Sequence, residues 1–257
     1  MNRYAEGKTM AGFKDHFSGH AALYADSRPS YPPALARALA ELAPSTALAL
    51  ECGCGSGQLS TVLGDVFDRV EATDASAEQV GQAKPHPHVT YRVAPAEKSG
   101  LPDGSCDLVV AAQAAHWFDL PAYWVEVARV LKPGGLTALV GYAPPRVNPA
   151  LDVLMDAFYH EGIGRFWPPE RLIVDNAYKG VDFPFREVEA PRHDLTADWN
   201  RHRYLGYVAS WSAVKLAEKQ GLNPLPAFAD AVAADWHDAE EVRPIRWPVL
   251  MRIGYSD

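Results

Sequence analysis

Glu51-Cys52-Gly53-Cys54-Gly55-Ser56-Gly57 decides how this chain folds. It follows the short apolar run Ala47-Leu48-Ala49-Leu50 and precedes a helical pattern over 58–66, whose apolar positions are Leu59, Val62, Leu63 and Val66. A short apolar run ending in glycines reads as a buried strand, so the order is strand, glycine turn, helix. Glycine in such a turn permits positive φ and a backbone approach that any Cβ would block.

Outward from that turn the alternation continues. Arg69-Val70-Glu71-Ala72-Thr73 is the next strand, closed by Asp74, and the Ser76 hydroxyl is suited to cap a helix running through Val80. His88 to Val93 alternates and is β-rich, and Asp107 to Ala112 reads as a central strand. A helix from Leu120 to Leu131 stops at Lys132-Pro133-Gly134-Gly135, before a fifth strand from Leu136 to Val140. Phe185 to His193 and Arg246 to Gly254 read as two more strands. Between them 196–236 reads as two or three helices, broken at Gly221-Leu222-Asn223-Pro224. Strands that alternate with helices pair in parallel through right-handed crossovers. The expected fold class is therefore α/β, a doubly wound, mostly parallel seven-stranded sheet with a helical insertion before the last strand. Three regions follow: 1–44, helical pieces closing over the site; 45–145, the ligand-binding core; 146–257, the C-terminal strands with a helical substrate cap.

Composition bounds the function. The 257 residues are 48% hydrophobic and 22% charged, which suits one globular domain with a cap and excludes a disordered or fibrous chain. With 24 basic and 32 acidic residues the formal net charge is −8, the wrong sign for a protein that lives on phosphate backbones, so no nucleic-acid partner is expected. Three cysteines cannot build a disulfide framework, which points to a reducing, cytoplasmic setting. The polar opening, Met1 to Lys8, argues against a signal peptide, and no stretch approaches the roughly 20 apolar residues of a membrane span. Nothing in the pattern specifies an oligomeric state.

Ligands of open parallel sheets bind at the carboxyl ends of the strands. Asp74 stands at such an end, where a carboxylate can accept hydrogen bonds from both hydroxyls of a ribose. Glycine loop plus distal acid specifies a nucleoside. A dinucleotide loop needs a third glycine or alanine at position 58 or 60, and those are Gln58 and Ser60. Glu51, just before the loop, would repel a pyrophosphate and attract an α-ammonium group. A nucleoside at one end and an amino acid at the other describe S-adenosylmethionine. The rival readings are an NAD(P)-binding oxidoreductase, which Gln58 and Glu51 disfavour, and a non-catalytic S-adenosylmethionine-binding protein.

The run Glu51 to Gly57 resembles the acid-x-Gly-x-Gly-x-Gly motif of class I S-adenosylmethionine-dependent methyltransferases. Val70 to Ser76, Leu101 to Val109 and Arg129 to Gly135 resemble three further stretches of that family, in the same order. Phe17 to Pro33 and Ala112-Gln113-Ala114-Ala115-His116-Trp117-Phe118 look like its trans-aconitate-type branch, which acts on small molecules. The resemblance implies that Gly53, Cys54, Gly55 and Gly57 line the methionine portion of the cofactor through backbone atoms. It places the ribose on Asp74, the adenine beside Ala75, Ala96 and Glu97, and Gln113 toward the cofactor or the transfer point. Pro95 stands where many relatives carry an aspartate for the adenine amino group, so recognition there would fall to backbone contacts or Glu97. Tyr24 and Arg28 would close over the cofactor, Arg28 pairing with its carboxylate.

Methyl transfer from a sulfonium asks mainly for alignment and exclusion of water, so the lack of a catalytic triad does not count against an enzyme. His116 and Trp117 lie at the mouth of the crevice. His116 is a candidate acceptor contact or base, against a plainer role in capping a turn. Trp117 is a candidate pocket wall, against core packing. Trp199, Arg201, His202, Arg203, Tyr204, Tyr207 and Trp211 form either an acidic-substrate pocket or a helix with an aromatic core face. Cys52, Cys54 and Cys106 lack the second matching pair of a zinc site, so no metal is expected. The acceptor is expected to be a small molecule methylated on oxygen, carboxylates included.

Overall fold

The computed structural model describes residues 29–257. Five strands, β1 (Ala49–Cys52), β2 (Val70–Asp74), β3 (Val89–Val93), β4 (Cys106–Ala112) and β5 (Leu131–Tyr142), lie parallel in the order β3-β2-β1-β4-β5. The long β8 (Val242–Tyr255) runs antiparallel to β5. Its second half also pairs with the short β6 (Arg186–Val188), and its first half with β7 (Asp194–Asn200). In the parallel half the expected and observed strands differ by two residues or fewer at most ends.

The central strands are buried on both faces, and period-two alternation sorts their side chains. Ala49, Val110 and Ala138 join Leu35 and Leu39 of the helix Pro33–Leu42 and Leu59 and Leu63 of the helix Gln58–Gly64. Leu50, Cys52, Val109 and Leu139 join Tyr123, Trp124 and Val127 of the helix Leu120–Val130 on the other face. Each such Leu or Val contributes about 1.5–3 kcal/mol by leaving water. At the amino end of the sheet, fully buried Asp107 accepts from Ser45 Oγ (2.7 Å), the Leu48 amide (3.0 Å) and Lys132 Nζ (2.7 Å). Burial pushes its carboxyl up, but these donors outweigh that and hold it below the ordinary value. One carboxylate thus ties the entries of β1, β4 and β5 together.

Three departures from the sequence expectation have physical causes. Lys132-Pro133-Gly134-Gly135 does not separate helix from strand. It is absorbed in β5 as an irregularity, since Cys106 pairs with Leu131 while Leu108 pairs with Leu136. The strand expected over Phe185 to His193 shrinks to Arg186–Val188, and β7 is an eighth strand where 196–200 reads as the start of a helix. Helices Arg201–Ala209, Ser212–Lys219 and Leu225–Asp235 then form the insertion before β8, interrupted at 221–224 as expected. Tyr24, Arg28 and the first expected helical piece lie outside the described residues.

Candidate active site

The carboxyl ends of β1, β2 and β4 converge on the glycine turn. Thr73 O accepts from the Gly53 and Cys54 amides (2.7 and 2.9 Å), and Cys54 O accepts from the Gly57 amide (2.9 Å). Asp74 completes the turn from the side. Its Oδ2 accepts from the Gly55 amide and its Oδ1 from the Ser76 amide, both at 2.8 Å. Ser76 in turn caps the helix Ala77–Gly81, its side chain accepting from the Gln79 amide (3.3 Å). The acid at the end of β2 is therefore also the clasp that shapes the loop.

The glycines of the loop answer to different demands. A Cβ at Gly53 would overlap the Ala114 side chain, and one at Gly57 would overlap the Tyr91 hydroxyl, so packing of the protein itself excludes side chains there. At Gly55 a Cβ would meet only Gln79 Oε1 at 3.7 Å and Gln58 Oε1 at 3.9 Å, both ordinary contacts. What holds residue 55 to glycine is its φ of +55°.

Glu51 lies behind the loop, 1% exposed, with Ser60 Oγ donating to its Oε2 at 2.5 Å. Ser60, which the dinucleotide count marks only as a misfit, is thus the group that fixes this acid from the first turn of the following helix. Burial pushes the Glu51 carboxyl up to about 8; the Ser60 hydroxyl works against that rise and the Asp74 charge adds to it. Between its ordinary value of 4.5 and about 8 the folded protein keeps this proton and the unfolded chain loses it, so stability falls as pH rises through that window. The Glu51→Gln variant is expected to lose that part of the pH dependence, on the order of a few kcal/mol. Thermal unfolding of both proteins between about pH 5 and pH 8 checks this, and superimposable profiles would contradict it.

On the other side of the crevice, Gln113 closes β4 with φ +53°, rare outside glycine. Its amide donates to Val140 O (2.8 Å) and its side-chain Nε2 to Tyr142 O (3.5 Å). A non-glycine residue held in that conformation at a strand end marks a place where geometry is imposed from outside. His116 is buried in the one-turn helix Ala115–Trp117 and packs against Trp117, ring centroids 4.7 Å apart. Ala75 is half-buried beside the Asp74 clasp, and Ala96 is buried. Glu97 spends Oε1 on the Asp119 amide (2.9 Å), which fastens the loop after β3 to the start of the helix Leu120–Val130.

Trp199, Tyr204, Tyr207 and Trp211 are buried in the core, Arg201 binds the Trp236 and His237 carbonyls, and Arg203 lies over Trp199. This cluster is the structural face of the insertion. Cys52, Cys54 and Cys106 are buried, with thiols pushed up by that burial, which makes them inert fillers of tight space. Among the described residues no group of three His, Cys, Asp or Glu is placed to hold a metal ion, and no helix is long and apolar enough to cross a membrane.

Comparison with known proteins bears directly on this site. The methyltransferase-domain family matches residues 50–139, the stretch that carries the loop, the clasp and β4. A Dictyostelium discoideum protein named as a methyltransferase is 32% identical over 257 residues, covering 97% of this chain and 98% of that protein. The chain belongs to the methyltransferase family. A solved structure from Anaeromyxobacter dehalogenans, described as a type II methyltransferase, is 46% identical to this methyltransferase, with a TM-score of 0.84 over 89% of this chain and 97% of the other. A Saccharomyces cerevisiae protein named as an S-adenosylmethionine-dependent methyltransferase is 29% identical over 147 residues, 54% of this chain and 50% of that protein. The methyltransferase is of class I, with an α/β Rossmann-like sheet, and its cofactor is S-adenosylmethionine.

Proposed function

We propose that this methyltransferase acts on a small molecule through an oxygen nucleophile, a carboxylate being the acceptor that asks least of the protein. The observation that carries the reading is the clasp, Asp74 on the amides of Gly55 and Ser76. It fits a nucleoside–amino acid cofactor: a glycine turn at positive φ, with the Asp74 carboxylate at one end and, at the other, the buried Glu51, which the cofactor's own positive charge would help to ionise. Asp74 would hold the ribose and Glu51 the α-ammonium group, while Gly53, Cys54, Gly55 and Gly57 line the chain between them. Ala75, Ala96 and Glu97 would border the adenine, Glu97 with the oxygen not used by Asp119. Tyr24 and Arg28 would close over the cofactor, Arg28 on its carboxylate.

When bound, S-adenosylmethionine supplies a methyl group already activated on a sulfonium. The protein's share is alignment and a dry crevice, worth about 7–11 kcal/mol where geometry is well set. Gln113, at the end of β4, and His116, in the one-turn helix after it, would flank the acceptor, with Trp117 as a wall. A carboxylate acceptor arrives ionised, so His116 then only donates a hydrogen bond; a hydroxyl acceptor would need it as the proton's destination. Support for small acceptors comes from the net charge of −8, and from the likeness of 112–118 to the trans-aconitate-type branch. Buried free thiols suit a reducing cytoplasm. Incubation with methyl-labelled S-adenosylmethionine and a panel of carboxylic acids, phenols and amines tests the reading. Label is expected in an oxygen-linked product, and transfer to amines alone would overturn it.

A further inference from the structure

Between β5 and β6 the chain builds a second feature that the cofactor crevice does not use. A cavity of about 260 Å³ is bordered by Tyr159, His160, Trp167, Arg171, Leu172 and Asp175. This is a small volume beside the ~300–1,000 Å³ of ordinary ligand pockets, so it suits one small molecule or one end of a larger one. Arg171 stands on the helix Arg171–Asp175, its side chain only 17% exposed. Its Nε edge is fully engaged, donating to Tyr159 Oη (2.8 Å) and Asp175 Oδ1 (2.9 Å), while Tyr159 Oη donates to Asp175 (2.9 Å). Its Nη2 donates to Tyr142 O at 3.4 Å, and among the described residues Nη1 donates to nothing. The guanidinium lies over the Trp167 and Tyr159 rings, 5.4 and 5.8 Å from their centroids.

This is a cation oriented from behind. Asp175 and Tyr159 lock one edge, the rings hold the plane, and the remaining end keeps unspent N–H donors beside the cavity. Its position is equally telling. Tyr142 O, at the carboxyl end of β5, accepts from Arg171 Nη2 and from Gln113 Nε2 alike, so Arg171 and the end of β4 meet at one oxygen atom. The helix Arg171–Asp175 also packs on the one-turn helix that carries His116. The exit from that helix is held in an unusual conformation, with Ala177 and Tyr178 at φ +52° and +59° and Tyr178 Oη donating to Val140 O (3.1 Å).

We infer that Arg171 is the specificity-determining residue of the acceptor site, binding the anionic oxygen group of a flat acceptor whose body lies against Trp167, Pro168 and Pro169. A guanidinium repels a cationic amine and gains little from a neutral amide, whereas a carboxylate meets its planar donors in matching geometry. Aromatic and proline walls favour a conjugated or aromatic body over a flexible chain. The inference rests on the methyltransferase reading for its placement, but it is tested by binding alone.

The probes are benzoate, cinnamate and 4-hydroxybenzoate, each paired with its neutral amide, titrated by calorimetry into the full chain saturated with S-adenosylhomocysteine. At least one acid is expected to bind tenfold or more tightly than its amide. Arg171→Gln is expected to remove that preference, and Arg171→Lys to restore part of it. Leu172→Trp fills the mouth of the cavity from a position 63% exposed and outside the Arg171 network, so it serves even where the Arg171 variants fail to fold. It is expected to lose acid binding while S-adenosylhomocysteine affinity stays as in the parent. No saturable binding of any acid, equal binding of acid and amide, or unchanged acid binding in Leu172→Trp would overturn the inference. Loss of S-adenosylhomocysteine binding by the unaltered protein would instead strike the methyltransferase reading itself.

Discussion

Asp74→Ala is expected to weaken S-adenosylhomocysteine binding by at least tenfold, about 1.4 kcal/mol. Two separate losses combine in that figure. The ribose hydroxyls lose a charged acceptor, and hydrogen bonds to charged groups are each worth about 1.5–3 kcal/mol. The amides of Gly55 and Ser76 also lose the oxygens they now share at 2.8 Å, so the turn is no longer held in the shape that meets the ligand. Asp74→Asn separates the two effects. It keeps one acceptor for the turn and removes the charge, so its affinity is expected between those of the parent and the alanine variant. Calorimetric titration reads all three proteins, and an alanine variant within twofold of the parent would remove Asp74 from the site.

The second large effect is expected from Gly55→Val, which should abolish measurable cofactor binding in a protein that still folds. A Cβ at this position meets only two glutamine oxygens at ordinary contact distance, so the packing around the loop tolerates it. The backbone does not, because a β-branched residue at φ +55° is a steric outlier costing on the order of 1–3 kcal/mol. That cost is borne by a surface loop and not by the core, so unfolding should remain cooperative. Binding suffers both from the bulk placed on the turn and from the displaced Gly55 amide. Gly55→Ala should bind weakly, since one methyl carries less of each penalty. Retention of full affinity by the valine variant, with a cooperative melt, would mean that the ligand does not approach the backbone there.

Much of this site is legible in the sequence, for reasons rooted in backbone chemistry. The strand–glycine–helix order around 51–57, the acid closing β2 and the Ser76 cap are local devices, each set by a few adjacent residues. The C-terminal third is different. β7 buries Leu195 and Trp199 by alternation, yet it runs without a break from Asn200 into the helix Arg201–Ala209, so helical spacing masks its end. β8 carries Pro244 opposite Asp198, a residue that argues against a ladder, and so its start reads as Arg246 and not Val242. Arg171 was illegible in another way. It stands on a five-residue helix after Pro168 and Pro169, and its environment comes from Tyr142, Tyr159 and Trp167, which are brought to it only by the tertiary fold. Ser60 and Tyr91 share that character, since their nearness to Glu51 and Gly57 depends on how the first helix and β3 pack.

A crystal structure of the full chain with S-adenosylhomocysteine tests the central claim most directly. The account predicts a ribose within hydrogen-bond distance of the Asp74 carboxylate, the homocysteine chain along Gly53 to Gly55, and the amino group on the Glu51 side of the loop, directly or through one water. A ligand seated away from the glycine turn, or one whose ribose and amino groups both ignore these two acids, would contradict it.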